Sequence, residues 1–231
     1  MSARLASQKE LIDSLTLYDL REAIDLIKQA ESKKPLGFQP SVDLVVQLGI
    51  NAKQSEQQVK GVCEIDTGRK ARLAVIAEQD DAKKALEMGA VSAGMDDLID
   101  DFKAGNVGYD YVITKPEYMK KLGPVARILG PKGIMPNPKL GTVTNDVLAA
   151  VEKALKGQVS IRSDKAGYIH CSVGKYGFET DQLMENINKV IKRLRQLKPP
   201  SSKGAYIRSI RVSMTMGPAA KVKLSSVDSM K

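Results

Sequence analysis

Hydrophobic and polar positions alternate with a period of two near the end of the chain, along residues 206–214. This period predicts a β-strand with one apolar face and one face of hydroxyl and cationic groups. The strand should end at Gly217–Pro218, because glycine frees the backbone and proline lacks an N–H donor. The apolar face should join a core, and the polar face suits phosphate oxygens and ribose hydroxyls. The apolar positions are Ile210, Val212 and Met214, and the polar positions are Ser209, Arg211 and Ser213.

The first 68 residues predict helix followed by strand. Apolar residues recur at helical spacing over residues 7–31, where Thr16 and Asp19 are candidate caps between two segments. Strands are predicted at residues 42–48 and 62–65, and a turn follows the second of them.

From residue 70 onward, strand and helix patterns alternate. The apolar run at residues 73–77 is typical of a strand that is covered on both faces. This succession predicts a mainly parallel, helix-covered sheet with Rossmann-like layering. No G-x-G-x-x-G motif opens its first turn, so the pattern implies no dinucleotide. Further strands are predicted at residues 89–91 and 111–113, and helices at residues 80–88, 95–102, 116–122 and 144–155, the last capped by Thr144 or Asn145.

The strand and helix pattern of residues 159–231 is similar to that of the first 68 residues. Residues 159–162 and 168–173 predict the two strands of a hairpin. A helix capped by Thr180 or Asp181 should follow and end before Pro199–Pro200. Its outer cationic face is either solvated or docked on a polyanion. The terminal strand comes next, and then a polar tail.

These patterns predict an α/β protein of two domains. The first is a discontinuous α+β, sandwich-like domain made of residues 1–68 and 159–231, and we interpret it as RNA-binding. The second, residues 69–158, is an inserted Rossmann-like, three-layer domain.

Charge is unevenly distributed along the chain. The net charge is +9. Residues 1–68 carry 8 Lys/Arg against 10 Asp/Glu, residues 69–158 carry 14 against 12, and residues 159–231 carry 14 against 5. The excess therefore lies in the last third and points to a polyanionic partner, although a merely basic protein is the plainer interpretation. Aromatic content is 4%, which argues against a broad base-stacking platform.

Little in the sequence suggests catalysis, a metal or a membrane. Cys63 and Cys171 are far apart, so we predict two reduced core residues. His170 is the only histidine, which excludes metal sites with two imidazoles. No apolar run is long enough to span a bilayer, and the N-terminus does not resemble a signal peptide. We expect a cytoplasmic protein that is not an enzyme and has no cofactor or metal.

The candidate RNA contacts gather around the predicted hairpin and the terminal strand. His170 is either a structural strand residue or an RNA contact, and Phe38 is either a core plug or an exposed ring that packs on a ribose or base. Asp164 could accept a hydrogen bond from a ribose 2′-hydroxyl or a base amino group. The full set is Phe38, Arg162, Asp164, Lys165, His170, Lys175, Arg211, Ser213, Thr215, Met216 and Gly217.

A second candidate loop spans residues 123–144. Four prolines and four glycines should exclude regular structure and fix its shape. The loop holds Lys132 and Lys139, with Ile134 and Met135 tucked beneath. It is either a phosphate-contacting loop or a rigid structural one.

Residues 127–139, R-I-L-G-P-K-G-I-M-P-N-P-K, followed by G-T-V-T at 141–144, resemble the signature of the large-subunit ribosomal protein L-one family. Residues 164–170, D-K-A-G-Y-I-H, also resemble a segment of this family, as do Lys203–Gly204 and the T-M-G-P at 215–218. The resemblance covers nearly the whole chain.

This resemblance implies three roles: binding to the stalk helices of 23S rRNA, release of deacylated exit-site tRNA, and repression of translation through the leader of its own mRNA. It further implies contacts with other large-subunit components, a monomer off the ribosome, and a cytoplasmic or organellar ribosome. Two other classes stay open: a phosphate-handling enzyme that uses residues 130–133, and an RNA chaperone without structured-site selectivity.

Overall fold

The computed structural model describes residues 5, 8, 11–13, 15–52, 54–69, 71–202 and 204–228. The chain divides into two compact units, residues 1–68 with 159–231 (unit 1) and residues 69–158 (unit 2). The strands are β1 (Leu17–Tyr18), β2 (Ser41–Leu48), β3 (Lys60–Glu64), β4 (Leu73–Ile76), β5 (Ser92–Gly94), β6 (Tyr111–Thr114), β7 (Gln158–Arg162), β8 (Tyr168–Lys175), β9 (Ile207–Met214) and β10 (Ala219–Val222). The helices are α1 (Leu20–Lys33), α2 (Gln79–Met88), α3 (Asp96–Lys103), α4 (Ala126–Lys132), α5 (Val147–Lys156), α6 (Thr180–Gln196) and α7 (Leu224–Asp228).

Unit 1 is built on a five-stranded sheet in the order β1-β10-β9-β2-β8. β1 runs parallel to β10, and the other pairs are antiparallel. Strands β3 and β7 form a separate two-stranded ladder. Helices α1 and α6 pack with the sheet around one core, so helices form one layer and strands the other.

The strands contribute every second side chain to this core. In β2 every second residue from Val42 to Leu48 is buried, and Ile210, Val212 and Met214 of β9 are buried beside them. The alternation predicted for the terminal strand is therefore confirmed. The helices contribute apolar stripes at 3.6-residue spacing, chiefly Leu20, Ile24 and Ile27 of α1 and Leu183, Ile187, Val190, Ile191 and Leu194 of α6.

Two predictions for the start of unit 1 need correction. The helix predicted over residues 7–31 in two segments falls partly outside the described residues: Gln8 is helical, residues 15–18 are not, and α1 begins at Leu20. Asp19 caps it through a capping box with Glu22, whereas the Thr16 hydroxyl donates to Asp13 instead. The intervening pair, Leu17–Tyr18, is a strand because it pairs with β10.

Three predictions for the end of unit 1 need revision. The predicted turn at residues 163–167 forms, with an antiparallel bridge between Ser163 and Ile169, but beyond it β7 pairs with β3 and β8 pairs with β2. The cap of α6 is Glu179, which forms a capping box with Gln182. The tail after Pro218 is not merely polar, because β10 and α7 lie there and bury Ala220, Val222 and Val227. Lys203 of the family-like Lys203–Gly204 pair lies outside the described residues.

Unit 2 contains a three-stranded parallel sheet in the order β5-β4-β6. β4 is buried along its whole length, as a strand covered on both faces should be. Leu73 and Val75 pack on one side with residues of α2 and α5, and Ala74 and Ile76 pack on the other with residues of α3 and α4.

Boundaries in unit 2 differ from the predicted ones. The second strand is Ser92–Gly94 and not residues 89–91, because Gly89 takes a left-handed conformation and ends α2. Residues 116–120 form a 3₁₀ helix, and Asp146 caps α5 in place of Thr144 or Asn145. Residues 123–144 are not free of regular structure, since α4 forms there with Pro131 inside it and buries Leu129.

Gly49 is a close-packed position where we expect a loss of stability. Its N–H donates to the Tyr206 carbonyl at 2.7 Å, and a Cβ atom there would overlap the Ala205 carbonyl oxygen. Because that neighbour is backbone, Gly49→Ala should lower the free energy of unfolding by about 1–3 kcal/mol. Urea denaturation can measure this, with Gly37→Ala as the control, because a Cβ at Gly37 meets nothing within 4 Å.

Candidate nucleic-acid interface

One face of the unit 1 sheet is turned away from α1 and α6, and we call it the open face. Strand alternation places every second side chain of β2, β8, β9 and β10 there, and these side chains are exposed or half-buried. Its residues are Ser41, Asp43, Val45, Gln47, Tyr168, His170, Ser172, Ser209, Arg211, Ser213 and Lys221.

Basic side chains cross the middle of the open face in one row. His170 and Arg211 both pair with Val45, from opposite sides, and Lys221 pairs with Arg211. Neighbouring strands lie about 5 Å apart, so these side chains span about 15 Å across the strands. Such a row can contact successive phosphates of a nucleic acid backbone.

Hydroxyl groups surround this row. Asp43 pairs with Ser172 on one side and with Ser213 on the other. The Ser209 hydroxyl donates to the side-chain oxygen of Gln47 at 3.0 Å. Short polar side chains of this kind can exchange hydrogen bonds with ribose hydroxyls.

A tight turn closes the end of the sheet between β9 and β10. The Gly217 N–H donates to the Met214 carbonyl at 2.8 Å. Met216 takes a left-handed backbone conformation with φ 62°, and the residue is 74% exposed. Thr215 ties the turn to β2, because its hydroxyl oxygen accepts the Ser41 N–H at 3.1 Å. We call residues 215–217 the tip.

Two further candidates share this end of the sheet. Lys175 ends β8 and pairs with Ser41, at the start of β2. Phe38 precedes β2 by a few residues, and it is 54% exposed, so it is not a core plug. The fold thus gathers Phe38, Lys175 and the tip at one end of the open face.

The remaining candidates lie elsewhere in unit 1. Asp164 is largely a turn former, because one carboxylate oxygen accepts the N–H groups of Ala166 and Tyr168 at 2.9 and 2.7 Å. Its other oxygen lies 3.9 Å from His170 Nε2. Lys165 is exposed in the same turn, at the end of the sheet opposite the tip. Arg162 is exposed on β7, outside the five-stranded sheet.

Asp43 is an acidic group within this basic face. Burial raises the pKa of its carboxyl, and nearby His170 opposes part of that rise. A raised folded-state pKa means that ionisation of Asp43 costs stability above that pKa, and that this cost disappears as the pH falls below it.

Asp43→Asn should therefore leave the protein as stable as the wild type or more stable at pH 7, with a midpoint rise of up to about 2 °C. The difference should shrink as the pH falls through the raised pKa, because the carboxyl then takes up its proton. Thermal melts at pH 7 and at a series of lower pH values measure this. A variant that is less stable at pH 7 would show that the Asp43 charge is stabilising.

The second candidate loop belongs to unit 2. Lys132 is exposed and ends α4, and Gly133 follows in a left-handed conformation with φ 75°. A helix C-terminus carries partial negative charge, so it is the wrong end of a helix to receive a phosphate. The side chain of Lys139 lies outside the described part of the structure. Ile134 and Met135 are partly buried, as predicted.

Hydrogen-bonded polar side chains lie at the carboxyl edge of the unit 2 sheet. Ligands bind at this edge in many open α/β sheets. Here the Lys115 ammonium donates to Asp81 at 2.6 Å, and the Tyr118 hydroxyl donates to Glu78 at 2.7 Å. The bond lowers the pKa of Asp81 and raises that of Lys115. These groups are satisfied by one another, which gives the enzyme alternative no support.

Several open-face residues were absent from the predicted set. Asp43, Gln47 and Tyr168 could have been found by the alternation that identified Arg211. Their strands were predicted, but only the apolar positions of those strands were interpreted. Lys221 could not be found in this way, since its segment was taken for a tail.

Two negative findings concern the described residues only. None of their helices is both long and apolar enough to cross a membrane. They also contain no cluster of three or more His, Cys, Asp or Glu side chains arranged to hold a metal ion. Cys63 and Cys171 are free and buried, as predicted.

Comparison with known proteins identifies the family. The fold defines a mixed α/β protein, and residues 26–218 match the model of the ribosomal protein L1p/L10e family. The chain is 45% identical over 224 residues to the large ribosomal subunit protein uL1 of Paraburkholderia phymatum, covering 96% of this chain and 95% of that protein. It is 44% identical over 229 residues to the protein of the same name from Thioalkalivibrio sulfidiphilus, covering 98% of each. The chain therefore belongs to the ribosomal protein L1p/L10e family.

Proposed function

We propose that this chain is a structural, non-catalytic constituent of the large ribosomal subunit, and that the open face of unit 1 binds ribosomal RNA. The observation that carries the proposal is the row of His170, Arg211 and Lys221, set among hydroxyl groups on a face whose side chains are exposed or half-buried. Membership of a family whose members are named large ribosomal subunit proteins supports it.

The open face and the tip make different contacts with the RNA. Arg211, Lys221 and Lys175 neutralise phosphates, which makes binding salt-sensitive. Ser213 and Asp43 contact ribose 2′-hydroxyls, which distinguish RNA from DNA. At the tip, Gly217 has no side chain, so an RNA strand can approach the backbone closely. Phe38 offers a ring for a ribose or base.

We assign the RNA target as the stalk helices of 23S rRNA. Within this proposal unit 1 is the RNA-binding domain, and unit 2 is an inserted domain that moves with the stalk during release of deacylated tRNA from the exit site. The same face would bind the leader of its own mRNA and repress translation. Off the ribosome the chain is a monomer. The relatives named above are bacterial, and nothing in the comparisons supports the organellar alternative.

A salt titration tests the RNA assignment. The full chain should bind a stalk RNA fragment at least about tenfold more tightly than a random duplex of equal length. Arg211→Gln should weaken stalk binding and reduce the slope of log K against log salt by about one, because one phosphate contact is lost. Lys192→Gln, an equal change of charge on the outer face of α6, should leave the slope unchanged. Equal affinity for both RNAs would favour the RNA-chaperone alternative.

A further inference from the structure

A pocket of about 350 Å³ lies in unit 1, on the covered side of the sheet. It is formed by the last turn of α6, by α7 and by the start of β9. Ile210 lines the pocket and faces the core, whereas its neighbour Arg211 faces the open face. The pocket is therefore separate from the proposed RNA surface. Its lining residues are Arg195, Lys198, Tyr206, Ile207, Ile210, Leu224 and Val227.

Tyr206 is the buried polar group of this pocket. The residue is 8% exposed, and its hydroxyl is buried without a hydrogen-bond partner in the structure. Burial raises the pKa of the phenol to about 12, so the hydroxyl is neutral at pH 7 and can donate a hydrogen bond. The hydroxyl oxygen has less than 1 Å² of accessible surface, so it lies behind the pocket wall, and other atoms of Tyr206 line the cavity.

The rest of the pocket combines an apolar wall with a cationic rim. Ile210 and Val227 are buried, and Leu224 is 37% exposed at the entrance. Arg195 and Lys198 are exposed at the rim. A single water needs only about 30 Å³, whereas pockets for small molecules usually measure about 300–1,000 Å³. The size thus fits an organic ligand better than a solvent molecule.

We infer that this pocket binds a small organic anion, consisting of an apolar ring or chain that carries one carboxylate, sulfonate or phosphate group. The apolar part packs against Ile210 and Val227. The anionic group lies at the rim beside Arg195 and Lys198, where charge complementarity favours it.

Fluorescence titration of the full chain with 8-anilinonaphthalene-1-sulfonate tests this inference, because the probe joins aromatic rings to a sulfonate. Saturable binding at one site per chain is expected. Tyr206→Phe keeps the shape of the pocket wall and should leave the affinity within about twofold of the wild type, because the buried hydroxyl does not reach the cavity. Lys198→Gln should weaken it by about fivefold or more, with reduced salt dependence. Leu224→Glu, at an exposed position that tolerates charge, should weaken it by at least about tenfold through repulsion.

Lys192→Gln is the matched control, because Lys192 lies on α6 outside the pocket. The affinity of this variant for the probe should stay within about twofold of that of the wild type. Competition then identifies the source of the anion: displacement by decanoate indicates an acyl anion, and displacement by adenosine monophosphate indicates a nucleotide. Displacement by neither would overturn the inference, as would equal affinity in the wild type and Lys198→Gln. Stalk RNA binding should be unchanged in all these variants, so a failure here leaves the proposed function untouched.

Discussion

Met216→Ala combined with Gly217→Val should weaken binding to a stalk RNA fragment by about ten- to a hundredfold. Met216 lies at the tip and is 74% exposed, so its truncation removes contact area without opening a core cavity. A valine side chain at Gly217 would stand between the RNA and the backbone. Loss of a specific contact to nucleic acid costs about 1–3 kcal/mol, which corresponds to this range of affinity.

The tip variant is best compared with Lys132→Ala, which removes a full positive charge from unit 2. If the open face is the RNA site, the affinity of Lys132→Ala for the stalk fragment should fall by less than about twofold. This is expected although Lys132→Ala removes a charge and the tip variant does not. Thr215→Ala is a less clean test, because its hydroxyl oxygen also accepts the Ser41 N–H. Thermal unfolding of each variant must accompany the binding measurement, since a Cβ at Gly217 would approach the Met214 carbonyl oxygen to 3.3 Å. Equal losses in the tip variant and in Lys132→Ala would contradict the assignment.

Local patterns predicted the strands and helices well, because each depends on its own periodicity. The alternation of Ile210, Val212 and Met214 with Ser209, Arg211 and Ser213 is what the structure shows, since one face of β9 must meet the core. The apolar run of β4 likewise reported burial on both sides. In each case the physical cause, removal of apolar side chains from water, acts over a few consecutive residues.

Pairing between distant segments could not be read in the same way. Residues 163–167 form the predicted turn, but beyond the bridge between Ser163 and Ile169 the two strands separate. β7 pairs with β3 and β8 pairs with β2, because partners some hundred residues away compete for the same edges. The strand Leu17–Tyr18 has only two residues and is fixed by its partner β10 rather than by its own pattern. The same limit applies to the open face. Arg211 was predicted from its own strand, but the position of Lys221 beside it depends on the register of β10 against β9.

Residues 1–68 joined to 159–231 by a short linker should bind the stalk fragment within about threefold of the full chain, with the same salt slope. These two segments share one hydrophobic core, which includes residues from Ile12 to Ile65 and from Ile161 to Val227, whereas residues 69–158 bury separate clusters. They also carry 22 Lys/Arg against 15 Asp/Glu, whereas residues 69–158 carry 14 against 12. Core and charge excess therefore both belong to the joined segments.

Residues 69–158 alone should bind the stalk fragment at least about a hundredfold more weakly than the full chain, because the phosphate contacts that dominate RNA affinity would be missing. Both pieces should first be checked for cooperative thermal unfolding, so that lost binding is not confused with a lost fold. The decisive comparison is then selectivity between the stalk fragment and a random duplex, measured at several salt concentrations. If residues 69–158 discriminated between the two RNAs while the joined segments did not, the recognition surface would have to lie in unit 2, and the open face would be an ordinary solvated side of a sheet.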